Sequence, residues 1–205
     1  MDIKSAWKKT WYFIWHDDSI LSWVANVILA FVLIKYILYP LVGLIFGTHF
    51  PVVAVISESM QHDGSFNNWW ATQENYYQNI GITKDDFLDF SLKNGFNKGD
   101  IMVLYGTKPK DIKVGNVIVF KSSRPYPIIH RVIKIRDEGS DGINITFETK
   151  GDHNTQQIII PGLDETNVSE KYYVGRAIAR IPYVGYVKIW FANLAGKLGL
   201  GALFN

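Results

Sequence analysis

Apolar residues run almost without interruption from Ile20 to Phe46, the most one-sided stretch in the chain. A helix rises 1.5 Å per residue and needs about 20 residues to cross the hydrocarbon core of a bilayer, so this run is long enough. Asp18-Ser19 before it supplies an N-cap. Lys35 is its one charge, and a lysine is tolerated near the end of a span, where it snorkels to the interface. The pattern therefore predicts an anchor within residues 20–47, crossing from about Ile20 to Leu38, with Pro40 as a kink or helix end. The run is too long for the apolar core of a cleaved secretory signal. Ahead of it, in residues 1–19, Ile3, Trp7, Trp11, Ile14 and Trp15 recur at helical spacing among Lys4, Lys8 and Lys9. That is the composition of a helix lying at a membrane–water interface, or of an ordinary core-facing helix.

Beyond the anchor the periodicity shortens. Val53 to Ile56 is apolar and β-branched, as a buried strand is. Residues 61–98 then break the pattern with polar–aromatic runs, Asn67 to Trp70 and Glu74 to Tyr77, and with a cap at Thr83 before a short helix through Leu92. They are expected to form a small helical insertion that tunes contact with substrate or membrane rather than carrying chemistry. Its aromatics either make a local core or touch lipid or substrate. From Asp100 onward strands are predicted at Ile101 to Tyr105, Val114 to Phe120, Tyr126 to Ile135, Ile143 to Lys150 and Tyr172 to Arg180, with turns such as Asp137 to Gly142 between them. In the third strand, simple alternation puts Val132 and Lys134 on one face and Ile133 and Ile135 on the other. Short strands joined by Gly/Pro turns give a mainly β class: an antiparallel, partly closed β domain over residues 48–180, with the helical insertion and an N-terminal transmembrane helix. Residues 181–205 form an apolar tail interrupted by Lys188 and Lys197, read as a second span, an interfacial helix or a surface-packed segment.

Composition narrows the chemistry. The 205 residues carry a net charge of +2 with Lys and Arg scattered, so nucleic acid is not an expected partner. Cysteine is absent, which removes thiolate nucleophiles, disulfides and zinc–thiolate sites. His62-Asp63 and Asp152-His153 are adjacent pairs without ligand spacing, so no metal is expected. What remains is a hydroxyl, an imidazole and a carboxylate, in Ser57-Glu58-Ser59-Met60, Ile129-His130-Arg131-Val132 and Lys150-Gly151-Asp152-His153-Asn154. Acyl transfer uses these three types: a serine hydroxyl is a poor nucleophile until a base takes its proton, and a carboxylate behind the imidazole fixes its tautomer. In an extended chain Ser57 and Ser59 point to the same side, so both face one site.

These islands, taken with the anchor and Lys98-Gly99-Asp100-Ile101, resemble in residue type and order the type I signal peptidases of the archaeal and endoplasmic-reticulum kind. The resemblance runs from the anchor to about Arg180, with residues 61–98 largely outside it. The bacterial branch has lysine before the arginine; His130 here is similar to the serine–histidine branch. The resemblance implies Ser59 as nucleophile, His130 as general base, and an oxyanion hole formed by the Ser59 backbone N–H and the Ser57 hydroxyl. It implies Asp152 as the group orienting His130. The family often carries a second aspartate shortly after this box, where the chain has Gln156-Gln157-Ile158, and Asp164 is the alternative orienter. Asp100 and Gly99 shape a strand entry. No cofactor is implied.

The expected function is that of a membrane-bound serine endopeptidase removing signal peptides from exported preproteins, with preprotein signal peptides and the lipid membrane as partners. Lys4, Lys8 and Lys9 ahead of the span predict a cytoplasmic N-terminus and a catalytic domain on the extracytoplasmic face of the cell membrane. The alternatives are a membrane-anchored, non-enzymatic β module, or a related protease for another exported precursor.

Overall fold

The computed structural model describes residues 3–137 and 144–197. Of the turn expected over Asp137 to Gly142, Asp137 ends a strand instead, and the rest of it, the start of the fourth strand at Ile143 and the last eight residues of the apolar tail lie outside the described residues. The chain divides into two compact units, residues 1–45 and 46–205.

In the first unit, a helix Ile3–Trp15 carries Trp7, Trp11 and Trp15 along one exposed stripe. Its last carbonyls are satisfied by the next helix: the Ser22 hydroxyl donates to Phe13 O (2.6 Å) and the Asn26 amide to Ile14 O (2.9 Å). Ser19 caps that second helix, accepting from Ser22 N–H. The helix runs Ile20–Phe46, 27 residues with an 18-residue window at a mean hydropathy of 2.3, long and apolar enough to cross a membrane. It neither ends at Leu38 nor breaks at Pro40. Residues Ile34–Leu38 widen into a π-helical turn, in which Tyr39 N–H bonds to Ile34 O one residue further back than an α-turn would. The wider turn makes room for the proline ring, which has no N–H to place and would clash with the carbonyl of residue i−4.

The second unit is built on a seven-stranded antiparallel sheet in the order β1-β2-β9-β3-β4-β5-β8, with a separate two-stranded hairpin β6–β7. The strands are β1 Val52–Ala54, β2 Ile101–Tyr105, β3 Val117–Phe120, β4 Ile128–Asp137, β5 Ile145–Lys150, β6 Ile159–Ile160, β7 Leu163–Asp164, β8 Val168–Ser169 and β9 Tyr173–Ile181. Val114 to Asn116 belong to a turn rather than to the expected strand; a Cβ on Gly115, at φ +89°, would meet the Phe90 ring at 2.2 Å.

Both faces of the sheet are covered, as the unbroken apolar run of β3 requires. Val117 and Val119 pack on one face with Val55, Met60, Phe96, Met102 and Leu104. Ile118 and Phe120 pack on the other with Val132, Phe147 and Leu163. Simple alternation fails in β4, because the β4–β5 register slips between Val132 and Lys134. The bulge leaves Ile133 unpaired and turns it into a third cluster, while Val132 and Ile135 share the second one.

That third cluster is the core of the insertion. A helix Phe66–Asn79, capped by Ser65, and a short helix Lys84–Leu88, opened by a Thr83–Asp86 capping box, bury Trp69, Trp70, Tyr77, Ile82 and Phe87 against Ile133. The second helix stops at Leu88, short of the expected Leu92. Of the tail, Ile181 ends β9 and Gly185–Lys197 forms a 13-residue helix.

Candidate active site

Chain direction places the two sides of the site. His130 and Arg131 are consecutive in β4, so their side chains leave opposite faces of the sheet. His130 pairs with Ile118 and Arg131 with Val117. Each therefore lies over a different core.

On the His130 side, β1 delivers the serines. After Ala54 the chain is held to Asp100 and Gly99 by two backbone bonds at Val55 and then turns, with Gln61 N–H donating to Glu58 O. Met60, 1% exposed, pins this turn into the core beneath the sheet. Its carbonyl accepts from Phe96 N–H and its sulfur from Asp152 N–H (3.3 Å), while the Ser59 carbonyl accepts from His153 N–H. Ser59 Oγ lies 2.9 Å from His130 Nε2 and 3.1 Å from Ser57 Oγ. The two serines do share one site, although it is the turn rather than an extended strand that aims them. Gly151 leaves the room: a Cβ there would lie 2.7 Å from the Ser59 carbonyl and 2.9 Å from His130 Nε2.

The carboxylate bonded to His130 Nδ1 is Glu165. Its side chain is fully buried and accepts two further hydrogen bonds, from the Thr149 hydroxyl (3.0 Å) and from Ile158 N–H (2.7 Å). With Nδ1–H given to Glu165, the Nε2 lone pair faces Ser59, the tautomer a general base needs.

Neither aspartate expected behind His130 is there. Asp152 sits on the opposite face, where Arg131 grips it with two hydrogen bonds, Nε to Oδ1 (2.9 Å) and Nη2 to Oδ2 (2.6 Å). His62 Nε2 (3.0 Å) and the Tyr77 hydroxyl (3.4 Å) complete its shell. Burial alone would raise the Asp152 carboxyl, but Arg131 and His62 hold it well below the usual carboxylate range. Asp164 is exposed and closes a turn, accepting from the Thr166 N–H and hydroxyl. The sequence pointed to Asp152 first and to Asp164 as the alternative; the carboxylate on His130 Nδ1 is Glu165, the neighbour of the second and not the first. No periodic signal marks Glu165; it is a charged residue following an equally charged one, and its burial depends on how the β6–β7 hairpin folds back.

The insertion encloses the Arg131 side. Ser91 O and Leu92 O accept from the Arg131 guanidinium, which lies 4.7 Å from the Phe87 ring centre. Trp69 Nε1 donates to the Asp152 carbonyl, and Gln73 Oε1 accepts from Lys150 Nζ (2.9 Å). The aromatics make a local core, and that core is the support beneath the site strand. His62, Asp63 and His153 have other partners, and among the described residues no three His, Asp or Glu side chains converge as metal ligands.

A groove of about 350 Å³ opens at Ser57, Ser59 and His130. Its walls are otherwise mostly apolar, including Ala54, Ile56, Ile128, Ile158, Ile160 and Leu163, with Arg124 and Asn154 as polar members. It runs beside β1, which among the described residues is an edge strand paired with β2 alone.

No family model matches the chain. It is similar to the signal peptidase complex catalytic subunit SEC11C of Homo sapiens, 38% identical over 106 residues, which is 50% of this chain and 53% of that protein. It is also similar to the signal peptidase complex catalytic subunits SEC11 of Lachancea thermotolerans, 33% identical over 121 residues (57% of this chain, 70% of that one), and of Zygosaccharomyces rouxii, 32% identical over 128 residues (58% and 75%). The match to the mammalian relatives spans about half of their length.

Proposed function

The chain belongs to the family of signal peptidase complex catalytic subunits, and from that premise we propose that it is a membrane-bound serine endopeptidase that removes signal peptides from preproteins. The observation that carries the reading is Ser59 Oγ at 2.9 Å from the ring of His130, with the buried Glu165 carboxylate on the far nitrogen. In this reading the preprotein lies extended along the open edge of β1, small side chains entering the apolar groove. His130 Nε2 takes the Ser59 proton as Oγ attacks the scissile carbonyl. The Ser59 N–H and the Ser57 hydroxyl stabilise the oxyanion, donors whose individual loss costs about 10²–10³ in rate in other serine proteases. His130 then protonates the departing amine, and a water repeats the sequence to release the signal peptide from Ser59. Glu165 holds the ring and stabilises the imidazolium throughout. A non-enzymatic β module would leave a buried His–Glu pair beside an accessible serine without a use.

The proposal includes an orientation: N-terminus cytoplasmic, site extracytoplasmic, from the lysines ahead of the long apolar helix. The test is incubation of the purified full chain, in detergent, with a preprotein, reading the new N-terminus by mass spectrometry. Wild type should release one mature product and Ser59→Ala none, with unchanged circular dichroism. Cleavage by folded Ser59→Ala would sink the mechanism. For orientation, single cysteines at Ser5 and Asp85 are challenged with an impermeant thiol reagent on intact cells. Labelling at Asp85 and protection at Ser5 are expected, and the reverse would invert the topology.

A further inference from the structure

The groove and the carboxylate behind His130 meet in one small element. Ile158, Ile160 and Leu163, from the β6–β7 hairpin and the residue before it, line the same cavity as Ser59 and His130. Glu165 is the residue immediately after β7. The hairpin folds back so that Glu165 N–H donates to Ile158 O and Ile158 N–H donates to Glu165 Oε2. The groove-lining residue Ile158 is therefore also a direct backbone support of the carboxylate. Leu163 fixes one strand of the hairpin in the core, at 6% exposure, whereas Ile159 is 66% exposed. The tip is docked where Ser123 N–H donates to Gly162 O (3.1 Å). Ser123 directly precedes Arg124 to Pro127, which also line the groove.

We infer that the β6–β7 hairpin is both the specificity-determining wall of the groove and, through Glu165, the element that positions His130. A side chain entering the groove presses on Ile158 and Ile160, and the same backbone holds the carboxylate that holds the ring. The selection of substrate and the alignment of the base then depend on one seating of the hairpin between the Ser123 contact and Leu163. This inference rests on the peptidase reading and names two determinants within it: Ile160 for side-chain size, and the Gly162 tip as a positioning residue acting through Glu165.

The test is a double-mutant cycle on the full chain in detergent with one preprotein. Gly162 has φ +82°, and a Cβ there would lie 2.8 Å from Ser123 Cβ, so Gly162→Val unseats the tip. It should lower kcat by at least about tenfold, a modest part of what correct base alignment provides. In a Glu165→Gln background the same change should cost less than about twofold, because the connection it acts through is already cut. A full tenfold loss in both backgrounds, or an effect on KM alone, overturns the positioning role. If Gly162→Val does not fold, Asp164→Ala takes its place, removing the two Thr166 hydrogen bonds at the foot of the hairpin. For the wall, Ile160→Ala should raise kcat/KM for a preprotein with leucine in the groove, relative to alanine, by about tenfold; an unchanged ratio removes Ile160 as a determinant. A wild-type chain inactive on any preprotein takes both readings down, whereas an active wild type with an additive cycle removes only the hairpin assignment.

Discussion

Asp152 and Glu165 are both fully buried carboxylates within reach of β4, and their partners separate their roles. Glu165 touches the ring that faces Ser59. Asp152 neutralises Arg131, a buried guanidinium that would otherwise stand uncompensated in a low-dielectric interior. Asp152→Asn should therefore act on stability: it keeps the shape and strands Arg131, at a cost of roughly 3–5 kcal/mol. Denaturant unfolding checks this, and an unshifted midpoint would contradict it. The pH sense follows from the lowered carboxyl. Its stabilisation is complete above the unfolded value of about 3.9 and is lost as pH falls below that toward the folded value. The serine and the histidine were legible in the sequence because each sits in a short pattern whose neighbours have local work. Met60 plugs the turn, Arg131 anchors the opposite face, and Gly151 keeps the contact open. Glu165 was not legible because its role comes from a hairpin contact with Ile158 and from no pattern of its own.

Among the elements, the long apolar helix followed from its unbroken apolar run and six strands of the sheet from periodicity, whereas β8 and the β6–β7 hairpin, two residues to a strand, are too short to show one. The π-helical turn before Pro40 and the bulge at Ile133 did not, because each is a local answer to a steric or packing demand that hydropathy does not encode. The insertion was legible as helical, from its caps and aromatic spacing, but not as a support. Lys150 is its most sensitive link to β5: buried, bonded to Gln73, with its ammonium 4.9 Å from the ring centres of Tyr76 and Tyr77. Burial pushes its pKa down to about 8, against the pull of Asp152 and Glu165. An unfolded lysine holds its proton to about 10.4, so between these values the unfolded chain binds more protons and stability rises with pH. Thermal unfolding should therefore show wild type gaining on Lys150→Met, by on the order of 2–3 kcal/mol, from about pH 8 to about pH 10. Parallel curves for the two proteins would mean that Lys150 is not desolvated by the insertion.

At the scale of the whole molecule, the second unit is a sheet that presents different side chains on each face of one strand. The groove, the serines and Glu165 lie on the His130 face; the insertion and the Arg131–Asp152 pair hold the strand from behind. The division predicts that carboxylates removed from the two faces fail in different ways. The measurement that tests this most directly is single-turnover cleavage of one preprotein by the folded full-length Glu165→Gln variant. Ser59→Ala serves as the zero and wild type as the reference. Loss of the charge behind His130 should slow cleavage by up to about 10⁴ while the protein melts as a folded chain. Cleavage by Glu165→Gln at the wild-type rate would contradict the account, and would mean that Glu165 does not stabilise the imidazolium formed when His130 takes the Ser59 proton.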